Sequence, residues 1–190
     1  MNVVIFLIAL IILALIILYF VFIGRAVRPA PEIVELKNPI PFVGLSIQTS
    51  DKAIYQDVGK VTTEFNRITK EKPIENKKKP WAFVAVSKDY DKEKGNFNYI
   101  VGEVVNEVKN IPEGLEAFEI PALTYAVFSI RPKSRIAWGI TMGRMKRYIY
   151  TEWLPNSGYK PSDQVGDFEF HDDRSLGKKP EIQLFVAVED

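Results

Sequence analysis

The 190-residue chain has no cysteine and a single histidine. Without cysteine there is no disulfide framework and no thiolate metal site, and one reason for placing the chain outside the cell is gone. The sequence also lacks a glycine-rich phosphate loop, a serine-nucleophile elbow and a cluster of metal-ligating side chains, so no metal and no cofactor are expected. Asp89, Asp91 and Glu93 alternate like calcium-loop ligands, but the glycine and the terminal glutamate that such a loop needs are not at the required positions. The net charge is +1, without the basic excess that marks nucleic-acid binders, so direct contact with nucleic acid is not expected.

Charge is missing altogether from Val3 to Ile23, while aromatic residues are plentiful elsewhere. An apolar helix of about 21 residues spans about 30 Å, the thickness of a bilayer core. A cleaved signal peptide would carry a basic start and a shorter apolar core, of about 7–15 residues. No Lys or Arg precedes this run, so the reading is a retained single-pass transmembrane helix over residues 1–24. Arg25 and Arg28 follow it, and the positive-inside rule puts the C-terminal side in the cytoplasm. A proline-containing linker, 25–39, leads to one folded domain, 40–190. Lys77, Lys78 and Lys79 are read as a solvated loop, being fewer than the cluster of about 4–8 that lipid recognition uses.

Within the domain the patterning alternates between periods of two and of about 3.6. Pro41–Gln48 alternates as a strand. Ser50 or Asp51 then caps a helix whose stripe is Ile54, Val58, Val61, Phe65 and Ile68, ending before Pro73. Trp81–Ser87 and Asn96–Val105 form a hairpin. A lead-in strand, Leu115–Ile120, precedes a second set: the strand Ala122–Arg131, a helix capped by Ser134, and the strands Val165–His171 and Glu181–Val188. The second helix has the stripe Trp138, Met142, Met145, Ile149 and Trp153, and Pro155 and Gly158 are expected to end it. The predicted fold is α+β: two strand–helix–strand–strand units with antiparallel sheets, helices on one side, and a cleft between the units suited to a ligand.

In Val165–His171 the period of two puts Phe168 and Phe170 on one face, expected to pack under the helices. Asp167, Glu169 and His171 take the other. A carboxylate in an aromatic-walled cleft suits a cationic ligand with a planar apolar body. If burial raised its pKa, Glu169 would serve as a general acid or base. The bland alternatives are an exposed strand glutamate and a solvated His171 beside Asp172 and Asp173. Tyr125, Tyr148, Trp138 and Trp153 are candidate pocket walls. Tyr148 lies off the helix stripe and is the better placed to reach a ligand.

The turn carrying Trp153, Pro155, Ser157, Gly158 and Tyr159, then Glu169, then Glu181 and Ile182, resembles the C-terminal half of GyrI-like small-molecule-binding domains. These are effector pockets of multidrug-responsive regulators and also occur alone. The resemblance extends from Pro41 onward. It implies that Glu169 is the pocket carboxylate, with Glu181 a second candidate, and that the ligand is small, hydrophobic, and aromatic or cationic. Some stand-alone members look like hydrolases, which would make Glu169 the acid/base with Tyr125 or Tyr148 orienting the substrate. GyrI-like domains are also linked to gyrase inhibition, which implies a third role, protein interaction. The sequence departs from the family in its Phe185-Val186-Ala187 ending, where Ile-Pro-Val is frequent. It also departs in carrying an apolar N-terminal segment in place of a DNA-binding module.

Overall fold

Nine strands pair into one antiparallel sheet in the computed structural model, which describes residues 3–24, 28–132 and 138–190, with the side chains of the first helix given over 5–19. The strands are β1 (Glu32–Glu35), β2 (Ile40–Ser50), β3 (Ala82–Asp91), β4 (Asn96–Val104), β5 (Glu116–Ile120), β6 (Thr124–Ile130), β7 (Lys160–Pro161), β8 (Asp167–Asp172) and β9 (Ile182–Glu189). The helices are α1 (Val3–Gly24), α2 (Ile54–Glu71), α3 (Trp138–Tyr148) and α4 (Leu154–Ser157), with a π-helical turn, Ile149–Trp153, joining α3 to α4. The expected caps at Ser134 and the expected orienting charge at Arg25 lie outside the described residues.

The sheet order is β1-β6-β9-β8-β3-β4-β2-β5, with the short β7 on β9. In each strand–helix–strand–strand run the last strand lies between the first and second, and the two second strands, β3 and β8, pair at the centre. The lead-in strands are exchanged: β1, before the first run, pairs with β6, and β5, before the second, pairs with β2. β1 arises within the segment 25–39.

Register decides which side chains meet. Ala85 lies opposite Glu169 and Phe83 opposite His171 across β3 and β8. Val101 lies opposite Ala85 on β4, and Leu184 opposite Glu169 on β9. Facing positions share a side of the sheet, so all of these point to one face. α2 lays Val61, Phe65 and Ile68 on Ala85, Tyr99 and Val101. α3 and the π-helical turn lay Met142, Met145 and Ile149 on Phe128, Leu184 and Val186 of that same face. The β3–β8 pair is therefore the floor between the two helices.

Phe168 and Phe170 do not pack under the helices. They lie on the opposite face with Phe42, Val84, Ile100, Tyr125 and Phe185, where Leu36, Leu123 and Val165 pack against them. Phe168 stacks on Phe185 at 4.5 Å between ring centroids. Burying one such side chain stabilises the fold by about 1.5–3 kcal/mol. Because both faces of this sheet are buried, alternation shows which residues share a face but not which face carries the helices.

Two local expectations also change. Ala53, not Ser50 or Asp51, takes the N-cap position of α2, without a side-chain bond. Asp51 instead accepts a 2.6 Å hydrogen bond from the Tyr90 hydroxyl. Pro155 does not end the second helix. It sits in the first turn of α4, and Gly158, at φ 85°, ends it in the left-handed conformation that favours glycine. A proline ring clashes with the carbonyl four residues back in a regular α-helix; the wider π-helical turn ahead of Pro155, in which Leu154 N–H donates to the Ile149 carbonyl, accommodates it.

Along α1 the large apolar side chains from Ile5 to Tyr19 are exposed. Among the described residues no helix is long and apolar enough to cross a membrane. The 15 or so α1 residues whose side chains are described make a helix of about 22 Å.

Candidate functional site

The alternation of β8 sends Asp167, Glu169 and His171 to the helix-bearing face, onto the floor between α2 and α3. Asp167 and Glu169 are among the few buried polar residues, 5% and 9% exposed. Asp167 has strong partners: Lys146 Nζ of α3 donates at 2.7 Å and the Tyr150 hydroxyl at 3.0 Å. Glu169 has a looser one, with Oε2 3.4 Å from His171 Nε2.

His171 is the centre of a row of rings that links the two helices. Its imidazole stacks on Trp138 of α3, with centroids 5.5 Å apart and planes 18° from parallel. Phe83 of β3 meets its other side edge-on at 5.8 Å. Phe83 in turn meets Phe65 of α2 edge-on at 5.8 Å and stacks on Trp81 at 6.3 Å. At the mouth, Tyr55 of the first α2 turn lies across Gly139 and Gly143 of α3. A Cβ on Gly143 would come within 2.6 Å of the tyrosine oxygen.

The electrostatics favour charged carboxylates. Burial pushes the Glu169 carboxyl up, but the hydrogen bond from His171 and the Lys146 ammonium outweigh it and hold it below the usual carboxylate range. Burial opposes the Lys146 charge as well, yet the attraction of Asp167 and Glu169 prevails and raises its pKa. Burial first, then the two carboxylates, drive the Tyr99 phenol well above its ordinary value. With a neutral imidazole the described residues of the floor thus hold two carboxylates against one ammonium, a net negative charge among aromatic rings.

An open groove lies elsewhere. A groove of about 630 Å³ occupies the helix-free face, lined by Phe42, Val86, Lys88, Ile100, Phe118 and Val165 among others. It is apolar at its base and contains neither Glu169 nor Asp167.

Of the residues singled out from sequence, Glu169 and Trp138 come together, joined through His171, which is paired and stacked and not simply solvated. Tyr125 points to the opposite face, fully buried, and its hydroxyl donates to the Pro121 carbonyl at 2.9 Å. Trp153 packs edge-on against Phe128 at 5.1 Å and stacks on Tyr159. Tyr148 lies under the Arg28 guanidinium, 5.3 Å from its centroid. Glu181 is taken up by ion pairs with Arg131 at 2.7 Å and Arg174 at 3.6 Å. Lys146 was not anticipated. The signal was present: Lys146 and Tyr150 are four apart, one helical face, beside the apolar stripe.

A family described as "Cass2: Integron-associated effector binding protein" matches residues 32–188. The chain belongs to this family. Similar solved structures agree with the fold of a Cass2-type domain. The integron cassette protein of Vibrio cholerae superposes with a TM-score of 0.61 at 13% identity, covering 84% of this chain and 96% of that one. SAV2435, solved bound to tetraphenylphosphonium, gives 0.63 at 12% identity, over 85% and 94%. The EcmrR C-terminal domain gives 0.58 at 17% identity, over 84% and 96%. The transcriptional regulator BrlR of Pseudomonas aeruginosa is 30% identical over 97 residues, 50% of this chain and 34% of BrlR. This Cass2-family chain thus covers about a third of that regulator's length. The expected GyrI-like effector-binding fold is thus supported at the level of architecture.

Proposed function

We propose that the domain binds a small hydrophobic cation in the cleft between α2 and α3, with Glu169 as its counter-charge, and that α1 tethers it to a membrane. The carrying observation is the charge imbalance on the cleft floor. Asp167 is matched by Lys146 and Tyr150, whereas among the described residues buried Glu169 has the 3.4 Å contact with His171 and the more distant pull of Lys146. Trp138, Phe83 and Trp81 offer ring faces beside it, and a cation within about 6 Å of such a face is attracted by its quadrupole. The tetraphenylphosphonium bound by SAV2435 has this chemistry, four aromatic rings around a positive centre.

The tether rests on α1. Its 22 residues carry no charged side chain, and the described apolar side chains, Ile5 to Tyr19, run about 22 Å along the helix. A row of exposed apolar side chains from Ile5 to Tyr19 needs an apolar environment. The positive-inside rule applied to Arg25 and Arg28 keeps the domain on the cytoplasmic side.

The test is a titration of the full chain in mild detergent with tetraphenylphosphonium, followed by tryptophan fluorescence. Saturable quenching is expected, weakened at least about tenfold (1.4 kcal/mol) in Glu169→Gln. Equal affinity in the two proteins would remove Glu169 from the account. No saturable binding would turn the reading toward a protein-interaction module.

A further inference from the structure

We infer that the His171 imidazolium is the site's built-in cation, so that a cationic ligand must displace its proton, and acid closes the site. This rests on the cation-binding reading above. The imidazole already occupies the place that chemistry describes: Nε2 3.4 Å from Glu169 Oε2, one face stacked on Trp138, and Phe83 edge-on to the ring. Its side chain is 16% exposed and that of Glu169 12%, so salt screens the pair little.

Charge bookkeeping on the floor gives the direction. With His171 protonated, Asp167 and Glu169 are balanced by Lys146 and the imidazolium, and an arriving cation meets no net attraction. With His171 neutral, one negative charge is left for the ligand. The other ionisable groups around the ring do not change charge in the same range. From β8 itself, Glu169 and Asp172 are held below the usual range, Asp172 by its Arg174 hydrogen bonds, and Asp167 is paired with Lys146. From α3, Lys146 is raised and burial carries the Tyr150 phenol far up. β4 presents Tyr99, raised well above its ordinary value, and α2 presents the phenol of Tyr55, which acts on Lys146. Histidine is the side chain that changes charge between about pH 5 and 8, and this chain has one.

Linkage then fixes the size of the effect. If one proton leaves as one cation binds, affinity weakens by up to about tenfold per pH unit below the histidine midpoint and levels off above it. His171 is here a specificity-determining residue, setting both charge preference and pH response.

The experiment uses the full chain in detergent and tetraphenylphosphonium as probe. Dissociation constants are measured from about pH 5.5 to about pH 8.5, across the histidine range, for wild type, His171→Gln and Glu169→Gln. Calorimetry of wild type in two buffers of different ionisation heat counts the protons released, which needs no variant to fold. The expected result is acid-weakened binding in wild type with up to one proton released, and in His171→Gln a constant varying less than about twofold over the range. Wild-type affinity that is flat with pH, or a His171→Gln profile parallel to wild type, would overturn the inference while leaving cation binding intact. No binding even at about pH 8.5, where histidine is neutral, would sink the cation-binding reading and this inference with it.

Discussion

Replacing Lys146 by alanine removes the ammonium that pairs with Asp167 on the cleft floor and tests the electrostatics directly. At 2.7 Å, a unit charge pair at an effective dielectric of about 20 attracts by about 6 kcal/mol before desolvation is counted. Releasing Lys146 to water returns part of that. The Asp167 side chain is 8% exposed and stays behind, while Lys146 is 29% exposed, which leaves a route for water to reach the vacated position. Breaking a buried pair by removing one partner costs about 3–5 kcal/mol, and the partial access puts Lys146→Ala near the lower end, about 3 kcal/mol. The assay is urea unfolding of full-length protein at neutral pH, followed by near-ultraviolet circular dichroism. The loss should shrink in mild acid, since the deserted carboxyls then take up protons and lose their charge. A destabilisation under about 1 kcal/mol, the scale of an exposed pair, would refute the claim that Asp167 and Glu169 are held as charged groups by Lys146.

The Glu169 carboxyl is held below its ordinary value of 4.5 in the fold, so its contribution is present above its unfolded value and lost as pH falls through the folded one. Stability should therefore fall as pH drops below about 4.5, with a shallower decline in Glu169→Gln, read from unfolding midpoints over that interval. Gly102→Ala should cost at least about 2 kcal/mol by overpacking, because its Cβ would meet the Val43 carbonyl at 2.6 Å and the Gly44 Cα at 2.9 Å. Gly143→Ala should be nearly neutral or stabilising by up to about 1 kcal/mol, because its Cβ meets only the end of Tyr55, which is 69% exposed and free to swing aside. Equal losses at the two glycines in thermal melts would contradict the distinction. Phe128→Ala should cost about 3–5 kcal/mol, since Phe128 is fully buried under the helix side and carries the Trp153 ring contact.

Strand and helix positions were legible because the chain spends its apolar residues at clean periods. Val61, Phe65 and Ile68 recur at helical spacing and are the buried face of α2, and the helix ends at Glu71, before Pro73. The side of the sheet that carries the helices was not legible, for Phe168 and Glu169 are both buried and alternation is blind to what covers each. Tyr125 misled for the same reason: an aromatic residue on a strand signals burial, not the cleft. The π-helical turn was invisible because Met145, Ile149 and Trp153 keep four-residue spacing, so a regular helix explained them equally well. Lys146 escaped because a lysine beside a stripe reads as solvated until its partner is placed, and Asp167 is 21 residues away in sequence. His171 lies between Phe170 and Asp172 in sequence, but its stacking on Trp138 is a tertiary contact that spacing does not encode.

The central claim is the location of the ligand, and the crystal structure of the chain with tetraphenylphosphonium bound tests it most directly. The account predicts phosphorus between α2 and α3, within about 6 Å of the Trp138 or Phe83 ring, with Glu169 turned toward it and His171 displaced from the carboxylate. A phosphonium seated instead in the groove beside Phe42 and Phe118, on the helix-free face, would contradict it.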